Sequence, residues 1–157
     1  MIASRASLLN QSLRRGLALL LSVLTATQLQ AAELRLEGKL IWGTNDEKSP
    51  DAKHKPVDEV TAAKLRKVFK WKNYFEVNRK TAVIPSRGTG QLVMSQQCVV
   101  EITELAGPRV EVKLIGKGKP VNRTTTQGLS KGESFVLAGD DKNDCAWFVI
   151  ITELEEK

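Results

Sequence analysis

Short segments in which apolar and polar residues alternate recur along the chain, and this pattern constrains the fold more than any other feature. The alternation is clearest at Leu34–Leu40, which runs into Ile41 and Trp42, and at Val110–Ile115. A period of two places successive side chains on opposite faces of a strand, with one face buried and the other in water. Turns that contain glycine or proline separate these segments.

Further strands are predicted from runs of β-branched and aromatic residues: Tyr74–Val77, Thr81–Ile84, Leu92–Met94, Cys98–Thr103, Val121–Gln127 and Phe135–Leu137. Val121–Gln127 is polar and rich in threonine, which favours an edge position. Ala146–Ile151 is continuously apolar, which predicts a strand buried on both faces. The whole pattern predicts a mainly β fold at the border with α+β. We expect an antiparallel β-sandwich or small barrel of about seven or eight short strands.

One segment changes to helical periodicity. Its apolar residues fall at helical spacing on one face: Ala62, Leu65, Val68 and Phe69. Pro56 is suited to a first turn, and the acidic residues after it are suited to the positive end of the helix dipole. The sequence therefore predicts a helix near 57–69, with Lys64 and Lys67 pointing away from its apolar face.

The N-terminus has the three-part order of a secretory signal peptide. Arg5, Arg14 and Arg15 form a positive region, the apolar run 16–26 follows, and a polar stretch ends in small residues at Ala31. The alternative is a membrane anchor, but the apolar run has eleven residues, whereas a spanning helix needs about twenty. The pattern predicts cleavage after Ala31.

Cleavage there would remove residues 1–31 and leave residues 32–157 as a single globular β-rich domain without a transmembrane segment. The protein is then expected to be exported, to the periplasm or the medium. The full chain has 24 basic and 18 acidic residues, and loss of the signal arginines leaves 21 against 18. The mature charge is therefore only weakly positive, which argues against a nucleic-acid partner.

Two cysteines, Cys98 and Cys145, lie in the mature part. An oxidising compartment and an even cysteine count favour a disulfide between them. The alternative is a pair of buried, unpaired thiols. Two cysteines with a single histidine in the chain do not make a zinc site, so no metal or other cofactor is predicted.

The densest basic stretch, Lys64–Lys80, is interleaved with aromatic residues. Its predicted anionic-polymer surface comprises five residues: Lys64, Lys67, Lys70, Lys72 and Tyr74. Basic residues beside aromatics can hold phosphates, anionic lipids or polysaccharides. The alternative is a solvated helix face followed by a strand whose aromatics point inward. By strand alternation, we expect Trp71 and Phe75 in the core and Tyr74 nearer the basic surface.

Two other segments carry weaker chemical signals. Gly139–Asp144 holds three carboxylates that could bind calcium, but the spacing of the helix-loop-helix calcium motif is missing and an ordinary turn is favoured. His54, the only histidine, lies in a lysine-rich loop and is expected to be solvated. No motif of a known hydrolase is found, so no catalytic residue is predicted.

Three segments, LIWGTND (40–46), FKWKNYFEV (69–77) and LAGDDKNDCAWFVI (137–150), together resemble a family of small exported bacterial proteins that has no assigned activity. The resemblance implies export and a single domain, and it brings no catalytic residue. The sequence thus predicts a non-catalytic binding or assembly module of the periplasm or cell envelope. Its partner would be an anionic envelope polymer or another envelope protein. The alternative is a hydrolase acting on envelope polymer through carboxylates.

Overall fold

The computed structural model describes residues 33–105, 109–126, 128–141 and 143–155. The predicted signal peptide and its cleavage site at Ala31 lie outside the described residues. So does the glycine-proline segment 106–108. Within the described part of the chain, no helix is long and apolar enough to cross a membrane.

The described residues form nine strands and one helix, which confirms the mainly β prediction. The strands are β1 (Leu34–Thr44), β2 (Lys55–Pro56), β3 (Asn73–Ile84), β4 (Thr89–Ser95), β5 (Cys98–Glu104), β6 (Val110–Gly116), β7 (Lys119–Thr126), β8 (Ser134–Asp140) and β9 (Ala146–Glu153). The helix, α1, spans Glu59–Val68. The two segments predicted at 74–77 and 81–84 belong to one continuous strand, β3.

The strands make two antiparallel sheets. One has five strands in the order β2-β3-β1-β9-β8, and the other has four in the order β4-β5-β6-β7. This arrangement is a β-sandwich, which decides between the two architectures that the sequence allowed. β7 lies at the edge of its sheet, as its polar composition predicted.

The main core lies between the two sheets. It contains Leu36 and Leu40 of β1, Val112 and Leu114 of β6, and ten further buried residues. On β6 the buried residues alternate with half-buried ones, as predicted from the period of two. Burial of these aliphatic side chains is the main force that holds the sheets together.

A second cluster lies on the opposite face of the five-stranded sheet, beneath α1. Strand β9 supplies both clusters: Phe148 and Ile150 face the helix, while Val149 and Ile151 face the other sheet. The prediction that the apolar run at 146–151 is buried on both faces is therefore confirmed. The molecule has three layers, which are the helix, the five-stranded sheet and the four-stranded sheet.

The helix begins at Glu59, two residues later than the predicted start near 57. Pro56 belongs to β2, and Asp58 caps the helix by accepting a hydrogen bond from the backbone N–H of Thr61 at 2.9 Å. This bond and a second one from the Thr61 hydroxyl lower the pKa of Asp58. Leu65 is buried as expected, but Val68 is 75% exposed. The sheet beneath α1 contacts only a narrow stripe of the helix, and Val68 lies beyond its edge.

Candidate functional site

The four lysines of the predicted anionic-polymer surface are all exposed. Lys64 and Lys67 lie on the outer side of α1, and Lys70 and Lys72 lie in the segment that joins α1 to β3. Among the described residues, no carboxylate lies within ion-pair distance of Lys64, Lys67 or Lys72. These three lysines can therefore attract an anion.

The two arginines of this stretch are engaged within the protein. Arg66 pairs with Glu59 and also donates to the backbone carbonyl of Lys72 at 3.3 Å. Arg79 pairs with Glu76 at 2.7 Å and with Glu37. The hydrogen bond from Arg79 lowers the pKa of Glu76. The positive charge of 64–80 is therefore smaller at the surface than the sequence indicated.

Tyr74 does not belong to this surface, and that part of the prediction is wrong. Its side chain is 3% exposed and packs edge-on against Phe148 beneath α1. Trp71 and Phe75 are buried as predicted. The prediction assumed that strand alternation already applied at Trp71. Strand β3 begins only at Asn73, so the alternation does not extend back to Trp71 and does not place Tyr74 on the face opposite to it. Trp71 and Tyr74 consequently enter the same cluster.

The predicted Cys98–Cys145 disulfide is also wrong, because both cysteines are free thiols in this structure. Cys98 is the first residue of β5, in the four-stranded sheet, and is half-buried. Cys145 precedes β9 and is buried, with its Sγ 3.6 Å from the hydroxyl of Thr44 and 3.5 Å from the carbonyl of Asn143. Burial raises the pKa of the Cys98 thiol.

The acidic segment 139–144 begins in β8 with Gly139 and Asp140, and its described turn residues, Asn143 and Asp144, lie before β9 and contact the segment after α1. Asn143 and Asp144 have positive φ values of 62° and 55°, as short Asn and Asp side chains tolerate. Asp144 accepts the indole N–H of Trp71 through its carbonyl at 2.7 Å and pairs with Lys70 through its carboxylate. Within the described residues, no group of three metal-ligating side chains comes together.

His54 closes the long loop after β1. Its Nδ1 lies 2.6 Å from the hydroxyl of Ser49, and its backbone N–H donates to the carbonyl of Asp51 at 3.1 Å. The side chain is half-buried rather than fully solvated. These local contacts give His54 a role in holding the loop.

A groove of about 550 Å³ runs between α1 and the edge strand β8, and we call it the helix groove. Leu65 of α1 and Ile150 of β9 form apolar parts of its lining, and Val136 of β8 is partly exposed in it. Lys39 and Lys64 also line it. Lys39 pairs with Glu37 at 3.4 Å, which leaves Lys64 as the available cation.

A second cavity, of about 410 Å³, lies between the two sheets and is called the inter-sheet cavity. Leu40 and Trp147 line it from the five-stranded sheet, and Cys98 and Leu114 line it from the four-stranded sheet. Lys117, in the turn between β6 and β7, also contributes to its lining. Its lining comes from six strands and three turns, so no local sequence signal could have located this cavity.

No protein-family model, curated protein or solved structure matches this chain. The resemblance to small exported bacterial proteins therefore stays a prediction that rests on the three sequence segments alone.

Proposed function

We propose that the protein is an exported, non-catalytic binding module of the periplasm or cell envelope that holds an anionic envelope polymer on the outer side of α1. The observation that carries the proposal is the position of Lys64. This lysine belongs to the exposed basic side of the helix and also lines the helix groove. A polymer could therefore place an anionic group at Lys64 and apolar or neutral parts along the groove.

The surroundings of the groove support recognition of an extended ligand. Its floor is apolar at Ile150 and partly exposed at Val136, and its rim carries hydroxyl groups of Thr61 and Ser134. Sites that combine an apolar floor with a few polar groups are typical of ligand binding. Lys67 extends the positive charge of the rim along the outer side of the helix.

The alternative of a carboxylate-dependent hydrolase has weaker support. Hydrolysis of a glycosidic bond generally requires two carboxyl groups facing each other across the bond. Among the described residues, Glu133 is the one carboxylate that lines the helix groove, and Asp141 is the one that lines the inter-sheet cavity. The described lining of neither cavity includes a facing pair, and this favours binding over hydrolysis.

The experiment measures retention of the purified mature protein on peptidoglycan sacculi and on vesicles containing phosphatidylglycerol. Retention is expected to fall as salt rises, because exposed charges are screened within about 8 Å at physiological ionic strength. The double variant Lys64→Glu, Lys67→Glu should lose retention and keep its fold. A control with the same charge change, Lys48→Glu with Lys53→Glu in the loop after β1, should bind nearly as well as the wild type.

Equal loss in both double variants would show that net charge alone governs retention. Unchanged retention in the Lys64 and Lys67 variant would show that the outer side of α1 is only a solvated helix face. Capture of another envelope protein through the helix groove, in place of polymer, would assign the module to assembly. Localisation is tested separately by N-terminal mass spectrometry of the protein from its native host, where cleavage after Ala31 is expected.

A further inference from the structure

We propose that the inter-sheet cavity binds a small amphiphile with an apolar chain and an anionic head, such as a medium-chain fatty acid. This site is separate from the helix groove, since the five-stranded sheet lies between them, and the inference does not rest on the proposed function. The volume of about 410 Å³ falls within the range of small-molecule sites.

The inner end of the cavity is apolar and continuous with the main core. Leu40 and Leu114 belong to that core, and each also lines the cavity. Trp147 supplies an indole wall because Gly139 faces it on the neighbouring strand: a Cβ at Gly139 would lie 2.0 Å from the indole ring. Gly139 thus allows the indole ring to approach β8 closely.

The mouth of the cavity is polar and carries a cation that can select the head group. Lys117 lies in the tight turn between β6 and β7, with a φ of 51°, and its backbone N–H donates to the carbonyl of Gln97 at 3.1 Å. Its side chain is exposed, and within the described residues it pairs with no carboxylate. Val121, 58% exposed, adds apolar surface beside it.

Asp141 also lines the cavity, so the mouth carries one charge of each sign. The backbone N–H of Asp141 donates to the carbonyl of Cys145 at 3.0 Å, which attaches this residue to the β8–β9 turn. Lys117 projects from an exposed turn on a long side chain and can reach over the opening. We therefore assign the head group to the anionic class, with Lys117 as its partner.

Cys98 makes the occupancy of the cavity measurable. Its thiol is half-buried in the lining, whereas Cys145 is 6% exposed. Burial raises the pKa of Cys98, so the thiol stays protonated at neutral pH and serves as an apolar part of the wall. The raised pKa slows reaction with maleimide, which attacks through the thiolate, so labelling is run at mildly alkaline pH. Cys98 is the more accessible of the two thiols, so it should be labelled in preference to Cys145, and a ligand in the cavity should protect it.

The experiment combines calorimetric titration with octanoate, octanol and octylamine and maleimide labelling of Cys98, located by peptide mass. Octanoate is expected to bind once per chain, more tightly than octanol, with octylamine weakest, and to slow the labelling. Lys117→Glu should weaken octanoate binding about fivefold, as expected for an exposed ion pair. Lys119→Glu, at the first residue of β7 and outside the lining, should change it little. Cys98→Phe should fill the cavity and abolish binding.

Three results would overturn the inference. One is octanoate binding that leaves the labelling rate of Cys98 unchanged, because the ligand would then lie elsewhere. Another is tighter binding of octylamine than octanoate, which would make Asp141 the selecting charge. The third is an equal effect of Lys117→Glu and Lys119→Glu. Both of these lysines are exposed, so the comparison stays valid even if Cys98→Phe fails to fold.

Discussion

The two faces of the five-stranded sheet are covered in different ways. One face packs against a whole second sheet, and the buried residues between the sheets are aliphatic apart from Met94. The other face is covered by a single helix of ten residues, over a smaller cluster that centres on Phe148. The ring of Phe148 lies 4.6 Å from that of Phe69 and 5.7 Å from those of Trp71 and Tyr74.

This difference indicates that the sandwich is held by many equivalent contacts and the helix by a few aromatic ones. Amide groups of the sandwich strands are hydrogen-bonded to neighbouring strands, so their opening requires the sheet to separate. The helix depends on the side chains beneath it and on the attachment of Trp71 to the β8–β9 turn. We expect α1 to be the element that loosens first.

The largest effect should come from Phe148→Ala, which removes the centre of the helix-covered cluster. The free energy of unfolding should fall by about 3–5 kcal/mol, as for other buried Phe→Ala changes. The matched change on the sandwich side is Ile151→Ala, with an expected loss of about 2–5 kcal/mol. Urea unfolding measures both losses of stability, and amide hydrogen exchange shows which region of the protein each substitution loosens.

In Phe148→Ala, amide protection should fall most in residues 62–69, while in Ile151→Ala it should fall across the strands of both sheets. Equal loss of protection in the two regions for both variants would mean that the helix and the sandwich unfold as one unit. The comparison between the two faces would then not hold.

An intermediate effect is expected from Tyr74→Phe, because the buried hydroxyl of Tyr74 has no hydrogen-bond partner among the described residues. A buried unsatisfied polar group costs about 1–3 kcal/mol, so its removal should stabilise the fold by about 1 kcal/mol near pH 7. Urea unfolding of the two proteins measures this difference. A destabilised variant would indicate that the hydroxyl has a partner.

The stability difference between Tyr74→Phe and the wild type should also depend on pH. Burial raises the pKa of Tyr74 above its ordinary value of about 10. As pH rises past that value, the unfolded chain loses the phenol proton before the folded one does, so the wild type loses stability. Tyr74→Phe lacks this loss, and its advantage should widen in alkali. Tyr74 is the only tyrosine in the chain, so absorbance titration of the phenol reads its pKa directly.

The smallest effect should come from Lys70→Gln, which removes the exposed ion pair with Asp144 and the contact of Lys70 with the Trp71 ring at 5.2 Å. The expected loss is below about 1 kcal/mol and should shrink in high salt. Lys72→Gln, which removes a neighbouring exposed charge without that pair, is the control. A loss of unfolding free energy well above about 1 kcal/mol that does not change with salt would mean that Lys70 holds the β8–β9 turn mainly through packing on Trp71.

Prediction from the sequence succeeded where one element determines its own pattern. The period of two located β1 and β6, and the continuous apolar run located β9 with both faces buried. Prediction failed where helical spacing or strand alternation was extended too far, to the end of the helix or to residues before a strand. Val68 lies past the edge of the covered stripe of α1, and Tyr74 follows a strand start that came later than assumed.

Of the candidate site, the sequence predicted only the exposed lysines on the helix. Lys64 and Lys67 are exposed on the helix as expected. At helical spacing, a helix that buries Leu65 on one face turns these two lysines towards the other face. The helix groove and the inter-sheet cavity were not predicted. Each is lined by residues from distant parts of the chain, which come together only when the strands pair.

By itself, the sequence determined most of the segments that form strands, the position of the helix among the described residues and which strand is covered on both sides. Those properties follow from side-chain periodicity, which acts over a few residues. Only the tertiary structure decided the order of strands in each sheet, the separate environments of Cys98 and Cys145, and the two cavities. These depend on non-local backbone pairing and on how two twisted sheets and a helix pack, and spacing along the chain does not encode such distances.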